Sequence, residues 1–189
     1  MNHLYQPTHP DSLLQADWLA LHEHMPPAKW GSLPSFSGAA IWLGMHHSLR
    51  KGQNELDYLN RQMLEQQLDW SDYQQRVLQA AWMHHGHLEG HHRYEDHSCF
   101  PRLLKLAPQL GKGFDLLEHD HELVAECVSL TRSLLNTVKH STEPQLDLVE
   151  RLHTAVQTQG TLLYRHLADE EDLVIPVLAL HAYTTCMIE

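Results

Sequence analysis

Apolar residues recur every three to four positions along four long stretches of the chain, which is the spacing of an amphipathic α-helix. In the first stretch this period is followed by Ile41, Met45, Leu49, Leu56 and Leu59. Proline, glycine and serine separate the stretches. The pattern predicts long helices at about 38–68, 72–99, 114–139 and 144–173, the second closed by Pro101 and the fourth by Pro176, after a short helical stretch near 12–21.

Strand signals are nearly absent, because no stretch sustains an alternation of apolar and polar residues and no Asn-Gly or Asp-Gly turn occurs. Four long amphipathic helices with short connections predict an all-α, antiparallel up-down four-helix bundle. The length of 189 residues fits one domain. We expect the bundle to occupy residues 35–189, after an N-terminal helical and loop extension at residues 1–34.

Composition and charge exclude several classes of function. The chain has 13 lysine and arginine residues against 24 acidic ones, a net charge of −11, which is too little positive charge for a nucleic-acid partner. No run of about 18 apolar residues predicts a membrane span, and no secretory signal is visible. Three cysteines without CxxC spacing, Cys99, Cys127 and Cys186, argue against a disulfide framework or a thiolate metal site. We expect a cytoplasmic protein.

Histidine is abnormally frequent, with 18 residues in the chain. These histidines are dispersed, whereas a purification tag would form one run at a terminus. Histidine is the commonest metal ligand in proteins. The composition therefore favours metal binding, and the positions of the histidines have to identify the site.

A repeated pattern identifies six of the candidate ligands. Residues 91–101 and 166–176 both read H-x-x-x-E-[DE]-x-x-x-[FI]-P, at an offset of 75 residues. Because residues i and i+4 share a helix face, each segment presents an imidazole and a carboxylate together. The same offset relates His46 in the first helix to His121 in the third. The predicted metal ligands are His46, His91, Glu95, His121, His166 and Glu170.

Such a ligand set fits two metal ions in the core of a helical bundle. Nitrogen and oxygen ligands without thiolate suit iron, manganese or zinc. In the simplest arrangement Glu95 and Glu170 bridge the two metals, and each metal takes two of the four histidines. A coordination position then stays open for a small molecule such as dioxygen, nitric oxide or peroxide.

Other polar residues near these positions receive lesser roles. His87 precedes His91 by about one turn and is the best candidate for a seventh ligand. In the acidic run 169–172 only Glu170 has a reason to point inward, so we expect its neighbours on a solvated face. Four further histidines are expected to flank the site: His47, His92, His97 and His119.

At these residues the chain resembles the hemerythrin-like HHE cation-binding family, whose signature H…HxxxE…H…HxxxE is matched by the six predicted ligands. The resemblance covers about 36–180 and implies a four-helix bundle around a non-haem di-iron centre with an oxo or hydroxo bridge. Oxygen-carrier hemerythrins have HxxxH in the third helix, where this chain has Leu117 four residues before His121. They also have H-x-x-x-x-D in the fourth helix, where Glu170 follows His166 at a shorter spacing. The missing fifth histidine favours nitric oxide, peroxide or iron handling over reversible oxygen carriage.

Two functions remain open. The first is a di-iron protein that binds dioxygen, nitric oxide or peroxide as a sensor, a scavenger or a weak redox enzyme with catalase-like or nitric oxide-related activity. The alternative is an iron-responsive binding or regulatory module without catalysis, whose partner or homodimer face lies around residues 18–30. Six ligands for two metals leave no capacity for a mineral core, which disfavours storage.

Overall fold

Long helices dominate the computed structural model, which describes residues 5–181. The five α-helices are α1 (Gly38–Leu64), α2 (Trp70–Tyr94), α3 (Phe100–Leu106), α4 (Gly111–His140) and α5 (Leu146–Leu180). A π-helical turn at Glu95–Cys99 joins α2 to α3, and 3-10 segments occur at Ala16–Glu23, Pro27–Ser32 and Pro108–Leu110. No strand occurs between residues 5 and 181, and the predicted all-α class is confirmed.

The four predicted long helices correspond to α1, α2, α4 and α5, with bounds that differ by a few residues. Cys186 and the outermost parts of the predicted extension and bundle lie outside the described residues. The division of the chain at residue 34 stays a prediction. Within the described range, no helix has the length and apolar character that crossing a membrane requires.

Two prolines that were expected to close helices do not do so. Pro101 lies in the first turn of α3, and the helical backbone continues through it from the π-helical turn before it. Pro176 lies inside α5, which continues to Leu180. A proline at 176 cannot donate a hydrogen bond to the carbonyl of Asp172 four residues earlier. That carbonyl instead lies 2.9 Å from Nε2 of His22, so the N-terminal segment supplies the donor that Pro176 lacks.

Two compact units divide the described chain. The first comprises the residues up to His47, His92–His121 and those from Tyr164 onward, and the second comprises Ser48–His91 and Glu122–Leu163. The boundaries cross α1, α2, α4 and α5 without interrupting them. Each unit therefore has segments of the same long helices, and each has its own cluster of buried apolar side chains.

The N-terminal segment is an integral part of the first unit. Leu14 and Leu19 belong to its buried apolar cluster, together with Trp42 of α1. The backbone N–H and the hydroxyl of Thr8 both donate to Oδ2 of Asp172, at 2.7 and 3.0 Å. The segment is thus fixed to α5 by hydrogen bonds as well as by apolar packing.

The second unit has a separate apolar core to which α1, α2, α4 and α5 all contribute. Its fully buried residues include Leu56 and Leu59 of α1, Val77 of α2 and Leu152 of α5. Residues at this spacing form the apolar faces that the sequence pattern predicted.

Candidate metal centre

All six predicted ligands occur in two groups of buried side chains that could each hold a metal ion. One group consists of His92, Glu95, His121 and His166, and the other of His46, His91, Glu95 and Glu170. In each group the ligand atoms lie within 4.8 Å of one another. Glu95 belongs to both groups, as a carboxylate shared by two metals would.

The end of helix α2 and the first residue of the π-helical turn that follows supply three of these ligands. His91 and Glu95 lie one turn apart, and His92 lies three residues before Glu95, so all three can face inward. The helix then changes to a π-helical turn, in which the Phe100 N–H bonds to the Glu95 carbonyl five residues earlier. Such single π turns are frequent at functional sites. The corresponding part of α5 after Glu170 stays α-helical, so the two halves of the repeat differ in backbone.

The two carboxylates of the repeat lie between histidines of the two groups. Oε1 of Glu170 lies 3.3 Å from Nε2 of His46, and its Oε2 lies 3.5 Å from Nε2 of His166. Oε2 of Glu95 lies 3.3 Å from Nε2 of His121. Glu95 belongs to both groups, and Glu170 lies beside a histidine of each. That the two carboxylates bridge two metals stays a prediction. The indole N–H of Trp42 also donates to Oε1 of Glu170, at 2.6 Å, and fixes that carboxylate.

A second acid lies near the other ring nitrogen of each of three ligand histidines, and it accepts a hydrogen bond from two of them. Nδ1 of His46 lies 2.9 Å from Glu171, and Nδ1 of His121 lies 2.6 Å from Asp96. Nδ1 of His166 lies 3.6 Å from Asp120. A carboxylate on one ring nitrogen directs the other nitrogen at a metal and raises its basicity. His46, His121 and His166 thus have the surroundings typical of metal ligands.

The acidic run 169–172 does not form a solvated face, so that expectation is wrong. Asp169 and Glu170 are fully buried, and Glu171 and Asp172 are only 8% and 1% exposed. The three acids beside Glu170 each have a partner in the structure. Asp169 accepts from Arg165, Glu171 from His46, and Asp172 from Thr8. The sequence offered no sign of these partners because they lie on other elements or on the preceding helical turn.

The electrostatic field of the site favours cations. Burial acts to lower the pKa of His46, but the charge of Glu170 and hydrogen bonds to Glu170 and Glu171 raise it to about 10. For His121, burial likewise acts to lower the pKa, and Asp96 and Glu95 raise it to about 9. The same negative field would attract a metal ion. A bound metal would supply the positive charge that these carboxylates require.

Arg165 is the single buried arginine or lysine among residues 5–181, against six buried acids. Its guanidinium donates to both oxygens of Asp120, at 2.9 and 2.6 Å, and to Asp169. Burial acts to raise the pKa of Asp120, but hydrogen bonds from His166 and Arg165 lower it, so this carboxylate stays charged. Arg165 is thus the single buried side chain among residues 5–181 with a permanent positive charge beside these acids, which again fits metal ions.

The histidine that joins the predicted ligands is His92, not His87. The ring of His92 stacks on that of His121, with centroids 4.0 Å apart and planes 10° from parallel. His87 is exposed and belongs to neither group. The repeated pattern did not identify His92, because the residue 75 positions later is Leu167 and not a second histidine. The spacing of His92 and Glu95, three residues apart on α2, is the signal that would have identified it.

The donor set fits two metal ions by its chemistry. Nε2 of His121 and of His166 is buried and makes no hydrogen bond to any residue between 5 and 181, so its lone pair is available to a metal. With His92 the set has five imidazoles and two carboxylates, of which His92, His121 and His166 lie in one group and His46 and His91 in the other. Imidazole and carboxylate together suit iron, manganese or zinc.

Comparison with known proteins gives one family. The family model described as the hemerythrin HHE cation binding domain matches residues 37–181. No curated protein and no solved structure matches the chain.

Proposed function

The chain belongs to the hemerythrin HHE cation-binding domain family, and from that premise we propose that it holds two iron ions and binds a small ligand at them. The ligand is dioxygen, nitric oxide or peroxide. The observation that carries the proposal is the pair of buried four-residue groups that share Glu95. Bound iron would supply a redox-active centre with a coordination position for such a ligand.

The two groups are unequal, and this inequality suggests where the ligand binds. One group has three histidines and the other has two, His46 and His91. If Glu95 and Glu170 both bridge, the metal held by two histidines has fewer protein ligands and keeps the open position. We therefore place the small ligand on the side of His46. His92 of α2 adds a fifth histidine, although the third-helix position where oxygen carriers have theirs is Leu117. Reversible dioxygen binding therefore stays a candidate beside the binding of peroxide and nitric oxide.

The residues around the groups orient the ligands and keep the site dry. Trp42, 6.0 Å from His46 between ring centroids, closes one side with an apolar ring. Phe100 stacks on His121 at 5.7 Å. Glu171 and Asp96 hold His46 and His121 by Nδ1, and Asp120 lies 3.6 Å from Nδ1 of His166. Fixed histidines and excluded water strengthen electrostatic interactions with a bound ligand.

An iron-responsive regulatory module is the second candidate, and one observation favours it. The N-terminal segment is hydrogen-bonded to acids on either side of Glu170, through Leu13 N–H to Asp169 at 3.2 Å and Thr8 to Asp172. Occupancy of the metal site could thereby set the order of this segment, which a partner would recognise. A cytoplasmic location and a homodimer stay predictions from the sequence.

The first test is metal content and colour. The protein is purified without a histidine tag, its metals are counted by mass spectrometry, and its visible spectrum is recorded in air with and without azide. We expect about two iron ions per chain, the number for a two-metal site, and an absorption that azide changes. The His166→Gln variant should lose iron. The His47→Gln variant, which replaces an exposed neighbour of a predicted ligand, should keep it. One zinc ion or no metal, with no colour, would refute the di-iron proposal.

A further inference from the structure

A groove with a volume of about 500 Å³ lies on the second unit and is lined by residues of α1 and α2. Its wall includes Lys51 and Gly52 of α1 and Met83, His84 and His87 of α2. None of these residues belongs to the two ligand groups of the metal centre. The groove therefore needs its own explanation.

His84 is held in one tautomer by a buried network of glutamines. Nε2 of Gln53 donates to the Val156 carbonyl at 2.7 Å, which fixes the orientation of that amide. Oε1 of Gln53 then accepts from Gln159 at 2.8 Å and lies 3.2 Å from Nε2 of His84. Nε2 of His84 is accordingly the protonated nitrogen, and Nδ1 carries the lone pair.

Nδ1 of His84, which carries the lone pair, is buried beside the groove. His84 is 4% exposed, and its Nδ1 makes no hydrogen bond to any described residue. A Cβ on residue 52 would lie 2.6 Å from this nitrogen, so any residue larger than glycine would crowd it. Burial, followed by the charges of His85 and His87, lowers the pKa of His84 to about 3. The imidazole is therefore neutral at physiological pH and can accept a ligand.

His87 lies three residues after His84, on the same side of α2. It is exposed, and burial of part of the ring, with the charge of His91, lowers its pKa. Two imidazoles, that of His84 fixed by hydrogen bonds and that of His87 exposed, thus line the same groove. His91, a predicted ligand of the centre, follows His87 by one further turn of α2.

We propose that His84 and His87 form an additional binding position for a divalent transition metal ion, which passes from there along α2 to His91. Neutral imidazole is a ligand for such ions. His84 shows the usual arrangement of a ligating histidine, in which the second ring nitrogen donates to a fixed oxygen. Two protein ligands retain an ion weakly, which suits a position from which the ion is released. The delivery step rests on the proposed di-iron function, whereas the binding step does not.

Binding is tested with cobalt, because Co²⁺ bound by imidazole absorbs visible light. Iron-loaded protein is dialysed against Co²⁺, and cobalt per chain is counted by mass spectrometry. We expect the wild type to hold about one cobalt ion more than His87→Ala. Gly52→Ala should weaken cobalt binding by about tenfold or more, as changes around metal ligands do. Its fold is checked by circular dichroism. The control is His140→Ala, which removes an exposed histidine at the end of α4. Equal cobalt in the wild type, His87→Ala and Gly52→Ala would overturn the proposal.

Delivery is tested by the rate of iron uptake. Metal-free protein is mixed with Fe²⁺, and the absorbance of the iron centre is followed in time. We expect His87→Ala to load several-fold more slowly and to reach the same final iron content, whereas His140→Ala loads at the wild-type rate. An unchanged rate would refute delivery. A protein that binds no iron would refute the di-iron function instead, while the cobalt difference would still stand.

Discussion

His46 and His121 are each held by two consecutive acids. Glu170 faces Nε2 of His46 and Glu171 faces its Nδ1, while Glu95 and Asp96 hold His121 in the same way. The first acid of each pair lies where a metal ligand is needed, and the second orients the histidine. The repeated E-[DE] dipeptide therefore encodes both a ligand and its support.

Replacement of Asp96 by Asn tests this division of roles. The substitution preserves shape but removes the charge 2.6 Å from Nδ1 of His121. We expect a fall in iron affinity of about 10- to 100-fold, the usual effect of losing such a support, with unchanged helix content. Competition with a chelator measures the affinity. Asp115→Asn, an exposed acid on α4, is the matched control, and equal affinities of the two variants would contradict the assignment.

His92→Gln tests the added ligand. The stacked ring of His92 belongs to the group with His121 and His166, and its loss leaves that group with two histidines. We expect iron content to fall from about two ions per chain toward about one, as in a two-metal site that loses a ligand of one metal. His97→Gln, an exposed histidine of the π turn, should keep its iron. Full iron content in His92→Gln would show that the stacking is only structural.

At the scale of elements, the N-terminal segment and α5 depend on each other at Pro176. The Asp172 carbonyl, which Pro176 cannot serve, accepts from His22. His22→Leu keeps much of the volume but removes the donor, and an unsatisfied buried carbonyl costs about 1–3 kcal/mol. In a Pro176→Ala background the new N–H can serve that carbonyl. We expect His22→Leu to lower the free energy of unfolding by about 1 kcal/mol less in the Pro176→Ala background than in the wild type. Urea unfolding of the wild type, the two single variants and the double variant measures this difference.

Thr8→Val is the control for this cycle. The Thr8 hydroxyl bonds the side chain of Asp172 and not its carbonyl. Pro176→Ala should therefore leave the cost of Thr8→Val unchanged. If both costs respond equally to Pro176→Ala, the effect is a general loosening of α5.

His84 gives the second unit an acid sensitivity of known sign. Burial, with the charges of His85 and His87, lowers its folded pKa to about 3, against an ordinary value of 6.5. Below pH 6.5 His84 therefore binds a proton in the unfolded chain but not in the folded chain. The stability that the protein has above pH 6.5 is consequently lost as the pH falls toward 3. Each protonation is worth about 1.4 kcal/mol per pH unit.

The measurement is urea unfolding of the iron-loaded protein at several pH values between 7 and 4.5. We expect wild type to lose about 1–2 kcal/mol more than His84→Gln over this range. His140→Gln should follow the wild type. Parallel curves for the wild type and His84→Gln would mean that His84 becomes protonated in the folded protein.

The sequence predicts which stretches are helical better than it predicts where a helix changes its hydrogen bonding or ends. Apolar residues such as Leu56 and Leu59 recur at the helical period over a short stretch of chain, so their spacing predicts a helix. The π turn at Glu95–Cys99 shifts one hydrogen bond and leaves that spacing almost unchanged. The continuation of α5 through Pro176 depends on His22, which lies 154 residues earlier in the chain. Contacts between distant segments leave no local pattern.

At the scale of the whole molecule, the same distinction holds for the metal centre. The six candidate ligands could be predicted because the same three-residue pattern occurs twice in the sequence at one offset. His92 has no counterpart in the repeat, and the burial of Asp169 and Asp172 depends on partners in other segments. The sequence also predicted one bundle without revealing its two compact units, because the long helices cross both of them unbroken.

Metal removal should affect the two units differently. The six buried acids, Glu95, Asp120, Asp169, Glu170, Glu171 and Asp172, all lie in the first unit. Without cations they repel one another, whereas the second unit keeps its apolar core. A metal at about 100 times its Kd contributes about 2.7 kcal/mol to stability. Removal of iron should thus lower the melting temperature and the amide protection of the first unit most.

Hydrogen exchange of iron-loaded and metal-free protein, followed by mass spectrometry of peptides, measures this directly. We expect exchange to rise in peptides from 92–121 and from 164–181 and to stay low in the cores of 48–91 and 122–163. Added iron should reverse the change, and His166→Gln should resemble the metal-free protein with or without iron. Equal loss of protection in both units would refute a metal effect confined to the first.

Peptides from 8–22 separate the two candidate functions. A reversible loss of their protection favours the regulatory module, since Thr8 and His22 bond to Asp172 beside the site, and unchanged protection there favours a site that only binds its ligand.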